Sequence, residues 1–385
     1  MSEPFQPLQG IRVIELSHMV MGPSCGMFLA FLGADVIKVE PPGGDKTRQL
    51  TGMGAGFFPM FNRGKKSVCL DLQSEEGKAD LDALLSGADV FVENFKDSSL
   101  VKMGLDAESL RQRYPGLIIA SNKGFLHGPY EHRTAMDEVV QMMTGLAYMT
   151  GPSGRPLRIG SSANDIMAGL FGALSVLGAV LEREKGGAGR SIRIGLFENC
   201  LLLVGQHMVQ YEIEGTESPP MPERSFSWPV YDIFETADGR QLFIGAITSG
   251  HWTSLCDILD LKDLRDAPDL ASAMDRINAR DRTLPLFTEA VARQEASRLA
   301  AALTASDIPF APVQRPVEMY DDPHVNRPGG LVTTRQPDGG SYRAPGLPLE
   351  VDGLPVVVEN TLSPAGADTK QVMDALKQSR APKTD

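Results

Sequence analysis

Gly10-Ile11-Arg12-Val13-Ile14-Glu15-Leu16-Ser17-His18-Met19-Val20-Met21-Gly22-Pro23, followed by Leu32-Gly33-Ala34-Asp35-Val36-Ile37-Lys38-Val39-Glu40, sets the architecture. Ile11 to Leu16 is a short apolar run bounded by Gly10 and a polar turn, which reads as a buried strand. Pro23 opens a helix that runs to Leu32 and Gly33 closes it, with proline near the start and glycine just past the end as helix ends prefer. Ala34 to Glu40 is a second apolar strand. A strand, a helix and a strand within some thirty residues make a βαβ unit and call for a parallel sheet.

The pattern continues outward. Val68 to Leu72 is a third strand. Ser74 then caps a helix whose first turn carries Glu75 and Glu76, where carboxylates suit the helix dipole. Val90 to Phe95 and Leu117 to Ser121 are the fourth and fifth strands. Ligands of such sheets bind beyond the carboxyl ends of the strands, here Ser17-His18-Met19, Glu40-Pro41, Asn94-Phe95 and Asn122-Lys123-Gly124. From Met136 to Tyr211 the pattern is mainly helical, with one strand at Ser191 to Ile194. The apolar stretch Ile166 to Leu181 is interrupted by glycines and reads as a core helix. Gly215 to Arg224, with Pro219, Pro220 and Pro222, reads as a linker. Beyond it, Val230 to Thr236 and Gln241 to Ile247 flank Ala237-Asp238-Gly239-Arg240 as a hairpin. Helices at about 251–259, 282–293 and 295–304 complete a smaller α+β domain. Asp321 to Pro348 reads as a loop-rich passage, and Thr369 to Gln378 as a final amphipathic helix.

The 385 residues suit two domains. A formal net charge of -12 excludes a non-specific nucleic-acid binder, but not a local pocket for an anion. Cys25, Cys69, Cys200 and Cys256 form no Cys-x-x-Cys pair and read as free thiols of a reducing compartment, the cytoplasm. The opening residues carry no basic region ahead of an apolar one, so no secretory signal is expected. No histidine spacing points to a metal, and no Gly-x-Ser-x-Gly elbow is present.

Several segments carry candidate chemistry beside an ordinary reading. Ser17 to Pro23 joins a strand end to a helix start, a place that suits an anion, although neither phosphate-loop spacing is present. Asn62-Arg63-Gly64-Lys65-Lys66 is either a phosphate site or a solvated basic turn. Val92-Glu93-Asn94-Phe95 ends a buried strand, and Lys102 lies just beyond it. Apolar residues at 136, 139, 140 and 143 put Asp137 in the first turn of a helix. There a carboxylate is commonly a dipole stabiliser; alternatively it is a nucleophile able to form a mixed anhydride.

In this order the segments resemble the family III CoA-transferases, the CaiB/BaiF family that includes formyl-CoA transferase and the α-methylacyl-CoA racemases. The resemblance rests on Leu8 to Leu16, Gly22-Pro23, Leu32 to Glu40, Gly44-Asp45 with Arg48, Asn62 to Ser67, Asp71-Leu72, Val92 to Phe95, Lys123-Gly124-Phe125 with Gly128-Pro129-Tyr130, Asp137, Ile308 to Val313, and Asp322-Pro323-His324. It implies a Rossmann-like α/β large domain, formed by 1–214 and 331–385, with a smaller α+β domain over 225–330, in an interlocked homodimer. It also implies Asp137 as the covalent nucleophile. His18, Met19, Val20, Met21, Asn94 and Phe95 would border coenzyme A. Lys65, Lys66 and Lys102 would meet its phosphates, and Lys123 and Phe125 would lie along it. CoA enters as a substrate, with no tightly bound cofactor, no metal and no nucleic-acid or membrane partner.

The implied reaction moves CoA from an acyl-CoA to a free acid through an aspartyl anhydride and an aspartyl-CoA thioester, with the loop Gly245 to Gly250 as a lid. Val20 replaces a glutamine of formyl-CoA transferase, Phe125 a frequent tyrosine, and the 245–250 loop is less glycine-rich, which argues against formyl or oxalyl substrates. Met136 replaces the histidine of the racemases, which ranks racemase below transferase. A non-catalytic CoA-binding protein is the third reading, disfavoured by the intact Asp137. Arg224, Ser225 and Trp228 are candidates for a second carboxylate of a dicarboxylic acid such as succinate.

Overall fold

Six short apolar strands build the central sheet: β1 (Arg12–Leu16), β2 (Asp35–Glu40), β3 (Lys66–Cys69), β4 (Val90–Glu93), β5 (Ile118–Lys123) and β6 (Ser191–Gly195). Every pairing is parallel, and the order across the sheet is β3-β2-β1-β4-β5-β6. The computed structural model describes residues 5–224, 228–356 and 360–380. Its backbone falls into two compact units, Met1–Glu223 with Asn326–Asp385, and Arg224–Val325.

The larger unit also contains α1 (Met21–Phe31), α2 (Phe57–Phe61), α3 (Glu75–Leu85), α4 (Asp97–Met103), α5 (Ala107–Arg113), α6 (Asp137–Met143), α7 (Leu146–Thr150), α8 (Ala163–Glu184) and α9 (Leu196–Glu214). Alternate strand residues enter opposite faces of the sheet. Val13, Val36, Val90, Val92, Ile118 and Ala120 pack in one core with α1 and α8. Ile14, Ile37, Val39, Val68, Phe91 and Ile119 pack in another with Leu81, Leu84 and Leu85 of α3. Burial on both faces is why these strands are continuous apolar runs. The strand order reverses between β1 and β4, and a crevice opens beyond their carboxyl ends at such a reversal.

The predicted strands all form, with shifted ends. β3 starts at Lys66 rather than Val68, and β5 runs on to Lys123. Ser74 caps α3, its hydroxyl accepting the Gly77 N–H.

In the smaller unit, β7 (Val230–Glu235) and β8 (Gln241–Ala246) form the expected antiparallel hairpin, and β9 (Phe310–Pro312) pairs with β8. Helices α10 (Ser249–Ile258), α11 (Lys262–Arg265), α12 (Ala273–Asn278), α13 (Arg280–Val291) and α14 (Ala296–Ala305) pack there around Trp252, Leu255, Phe287 and Leu299. The passage from Asp321 to Pro348 is more ordered than its composition indicates. It contains β10 (Leu331–Arg335) and β11 (Ser341–Pro345), an antiparallel pair in which alternate residues face solvent, so neither strand is a continuous apolar run. β12 (Glu350–Val351) pairs with β13 (Leu354–Pro355), and β14 (Asn360–Thr361) pairs with β10.

The final helix α15 (Thr369–Arg380) returns to β3. Asp368 accepts the Ser67 N–H at 2.8 Å, and the Thr369 hydroxyl accepts that of Cys69 at 3.0 Å. These bonds occupy the outer edge of the sheet.

Candidate active site

The crevice is shaped by how β1 and β4 end. The His18 N–H donates to Asn94 Oδ1 at 3.1 Å, and Asn94 Nδ2 donates back to the His18 carbonyl at 2.8 Å. The two loops are thereby clipped together. Met19 sits at φ 64°, a left-handed conformation that a methionine adopts only when its surroundings impose it. Its N–H donates to the Thr47 hydroxyl at 3.2 Å. Val20 and Met21 are buried and start α1, and Val20 provides no side-chain cap for the first-turn N–H groups. Gly22 permits this close fit, because a Cβ there would lie 2.5 Å from Ser17 Cβ. The His18 ring lies 5.3 Å from that of Phe95, and burial holds its pKa below the ordinary histidine value.

Asp137 is the first residue of α6 and is 8% exposed. Both oxygens have donors: Oδ1 accepts from Gln141 Nε2, and Oδ2 accepts from the Asp165 N–H in the first turn of α8 at 3.3 Å. Gln141 is itself fixed, its Oε1 accepting the Ile159 N–H at 2.9 Å. The donors fix where the two Asp137 oxygens point. The carboxyl of Asp165 is pushed up to about 7 by burial and then by the charge of Asp137, against a downward pull from Arg158.

Asp137, Asp165, Glu138, Arg158, Met136 and the His18–Met21 turn line a cavity of about 400 Å³. An adjoining cavity of about 600 Å³ shares His18, Asn94, Asn122, Lys123 and Gly124, and continues over Phe95, Lys96, His132, Arg133 and Arg193. Lys96 and Arg133 are solvent-facing there: the Lys96 amine donates to the Thr134 hydroxyl at 3.3 Å, and the Arg133 guanidinium lies 5.0 Å from the Tyr130 ring. Asp97 and Glu131 also line that cavity, Asp97 paired with Lys123 and Arg193 and Glu131 with His132, so the cleft has a carboxylate end and an end where Lys96 and Arg133 leave a cationic surplus. Among the described residues no group of three or more His, Cys, Asp or Glu is placed to hold a metal ion.

The expected site residues divide. His18, Met19, Val20, Met21, Asn94, Phe95, Lys123 and Asp137 all line one or both cavities. The Lys123 amine, however, is taken up by Glu93 at 2.8 Å, Asp97 at 3.0 Å and the Phe95 carbonyl at 2.6 Å. Phe125 is 2% exposed and packs against Tyr130 and Phe197 instead of facing the cleft. Lys102, at the end of α4, lines a separate cavity of about 640 Å³ with Lys78 and Arg113.

Lys65 is 3% exposed, and its amine is bound by Glu15 at 2.6 Å, the Pro23 carbonyl at 2.8 Å and Asn62 at 3.1 Å. Lys66 pairs with Asp35 at 2.6 Å; both residues begin their strands, at the end of the sheet opposite the crevice. Neither lysine reaches the cleft. Arg224 and Trp228 belong to the smaller unit, where the Arg280 guanidinium approaches the Trp228 carbonyl at 3.5 Å; Ser225 lies outside the described residues.

Gln141, Arg158, Asp165, Lys96 and Arg133 were not singled out from the sequence. Gln141 was within reach of it, since it stands four residues after Asp137 on one helix face. Arg158 and Asp165 come from a loop and a helix start whose approach to Asp137 is a tertiary effect.

A family model described as CoA-transferase family III matches residues 8–369. The chain is 33% identical to a succinyl-CoA:mesaconate CoA-transferase of Haloarcula hispanica, covering 93% of this chain and 92% of that protein. It is 32% identical to a succinate–glutarate CoA-transferase of Agrobacterium fabrum, covering 96% of each. A crystal structure of a CaiB/BaiF family protein from Brucella suis superimposes with a TM-score of 0.87 at 29% identity, covering 96% of this chain and 99% of that one.

Proposed function

The chain belongs to CoA-transferase family III, and we propose that it moves CoA from succinyl-CoA or a similar acyl-CoA to a free dicarboxylic acid through covalent intermediates on Asp137. The observation that carries this reading is the placement of Asp137. It is a buried carboxylate with a donor on each oxygen, at the inner end of a cleft whose other end has a cationic surplus.

Asp137 attacks the thioester carbonyl, and the C–S bond breaks to leave an acyl-aspartyl anhydride and CoA thiolate. The thiolate attacks the aspartyl carbonyl of the anhydride, releasing the donor acid and leaving an aspartyl-CoA thioester. The acceptor carboxylate attacks that thioester and expels the thiolate. The thiolate then attacks the acyl carbonyl of the new anhydride, forming the product thioester and freeing Asp137. Protons balance without an external base, because every nucleophile is already an anion. The Gln141 amide and the Asp165 N–H hold the carboxylate in place for each attack. CoA runs along Phe95 and Asn94, with Lys96 and Arg133 facing its phosphates. Met136, beside the nucleophile, has no titratable group, which favours transfer over epimerisation.

Incubating the protein with succinyl-CoA and a panel of free acids, with products read by mass spectrometry, tests the reading. New dicarboxylyl-CoA thioesters with matching release of succinate are expected. Net hydrolysis alone, or no turnover, would overturn it.

The homodimer is proposed on a second observation. α8 is apolar enough for its length to span a membrane, but 44% of its most apolar stretch is buried in the protein. Its exposed side presents Leu170, Phe171, Leu174 and Leu181, and α9 presents Leu202, Met208, Val209 and Ile213. Apolar surface on two neighbouring helices calls for cover, and a second copy supplies the same apolar surface in return. Sedimentation should give twice the 41.6 kDa chain mass down to nanomolar concentration. An active monomer would rule the dimer out.

A further inference from the structure

Arg158 is the remaining cation of the catalytic cavity. Of the basic side chains lining that cavity among the described residues, the Lys123 amine is already shared between two carboxylates and a carbonyl. The Arg158 guanidinium is held in a fixed pose by two uncharged acceptors: Nε donates to the Ile159 carbonyl and Nη2 to the Ser161 carbonyl, each at 3.1 Å. Its ion pair is loose, Nη1 lying 3.8 Å from Glu138 Oε2, and its side chain is 24% exposed. Backbone carbonyls orient a guanidinium without neutralising it, so its charge is left to the cavity, where Glu138 and Asp165 feel it without a close pair. The pose is tied to the nucleophile, because the next residue, Ile159, donates its N–H to the same Gln141 that holds Asp137.

The cavity also carries Asp137, Glu138 and Asp165. An acid bearing a second carboxylate enters against that charge unless a cation meets it. We propose that Arg158 receives the distal carboxylate of the dicarboxylic substrate while the other carboxyl is presented to Asp137, making Arg158 the residue that selects dicarboxylic over monocarboxylic acids. This rests on the transferase reading above and names its acid.

The test pairs acids of similar length. With butyryl-CoA as donor, transfer to succinate is compared with exchange into isotopically labelled butyrate, in the wild type, Arg158→Met and Arg158→Lys. Arg158→Met is expected to lower kcat/KM for succinate about 100-fold more than it lowers butyrate exchange, the loss of one charge-assisted contact. Arg158→Lys is expected to recover part of the succinate activity, because it keeps the charge without the planar fork. Equal losses for both acids would mean that Arg158 only supports the loop, and unchanged succinate transfer would mean that it meets no carboxylate; either overturns the proposal. Calorimetric titration of succinate separates this outcome from failure of the transferase reading. Succinate binding that depends on Arg158 in a protein that transfers no CoA would sink the reading and keep the site.

Discussion

Replacing Asp137 by alanine abolishes CoA transfer while acyl-CoA still binds. The expected loss in kcat is on the order of a thousandfold or more, because the variant has no group to carry the acyl chain or CoA between half-reactions. The fold is expected to survive. Asp137 is at a helix start, and its two donors are a side-chain amide and a first-turn N–H, neither of them a charge left stranded. Rapid quench of the wild type with succinyl-CoA, followed by peptide mass mapping, should place the adduct on the peptide holding Asp137. The alanine variant should show none, with acyl-CoA affinity within a few-fold of wild type by calorimetry. Residual transfer above about a tenth of wild type in a clean preparation would remove Asp137 from the chemistry.

Substituting Lys65 produces the other large effect, on stability rather than on CoA affinity. Glu15 is fully buried between Lys65 at 2.6 Å and Lys38 at 3.3 Å, and Lys38 also meets Asp45 at 3.3 Å. Two carboxylates and two ammonium groups balance in this cluster. Burial lowers the Lys65 amine to about 8, which leaves it charged at neutral pH. α1 is fitted against the cluster, since a Cβ on Gly26 would lie 1.8 Å from Glu15 Oε2.

Lys65→Met leaves one buried negative charge uncompensated and should cost about 3–5 kcal/mol. Adding Glu15→Gln should recover a large part of that loss, the signature of a coupled pair. Lys66→Met should cost under about 1 kcal/mol, because its pair with Asp35 is 44% and 32% exposed. Denaturant titration reads all three variants. In the folded Lys66→Met protein the KM for acyl-CoA should equal that of wild type; a rise shared by all donors would return the basic turn to the cofactor.

That turn shows where reading the sequence stops. The strands of the sheet and α1 were legible because burial on two faces writes continuous apolar runs between glycine and proline breaks. Ser74 and the Thr236–Arg240 hairpin were legible because caps and turns are local chemistry. In Arg63-Gly64-Lys65-Lys66, by contrast, three cations look alike along the chain. Arg63 and Lys65 are buried and Lys66 is not, a distinction made far away along the chain: Glu15 pairs with Lys65, and the Pro345 carbonyl accepts from Arg63. Asp137 was singled out through the order of surrounding motifs, not through its own helix, which reads like any helix start. Arg158 and Asp165 had no local mark, because what distinguishes them is the cavity they share with Asp137.

The strap of the C-terminal helix onto β3 has a consequence for biosynthesis. The acceptor for the Ser67 N–H lies 301 residues downstream. At about 5–20 residues per second, a ribosome delivers it roughly 15–60 s after Ser67 is made. The smaller unit, which ends at Val325, is complete before that time. Once Gly195 is made all six strands of the sheet exist, but the outer edge of β3 still has no partner, and an open strand edge recruits other chains. Newly made protein is therefore most prone to mispairing late in translation, and slow codons between 326 and 368 would lengthen that window without changing a single residue of the product.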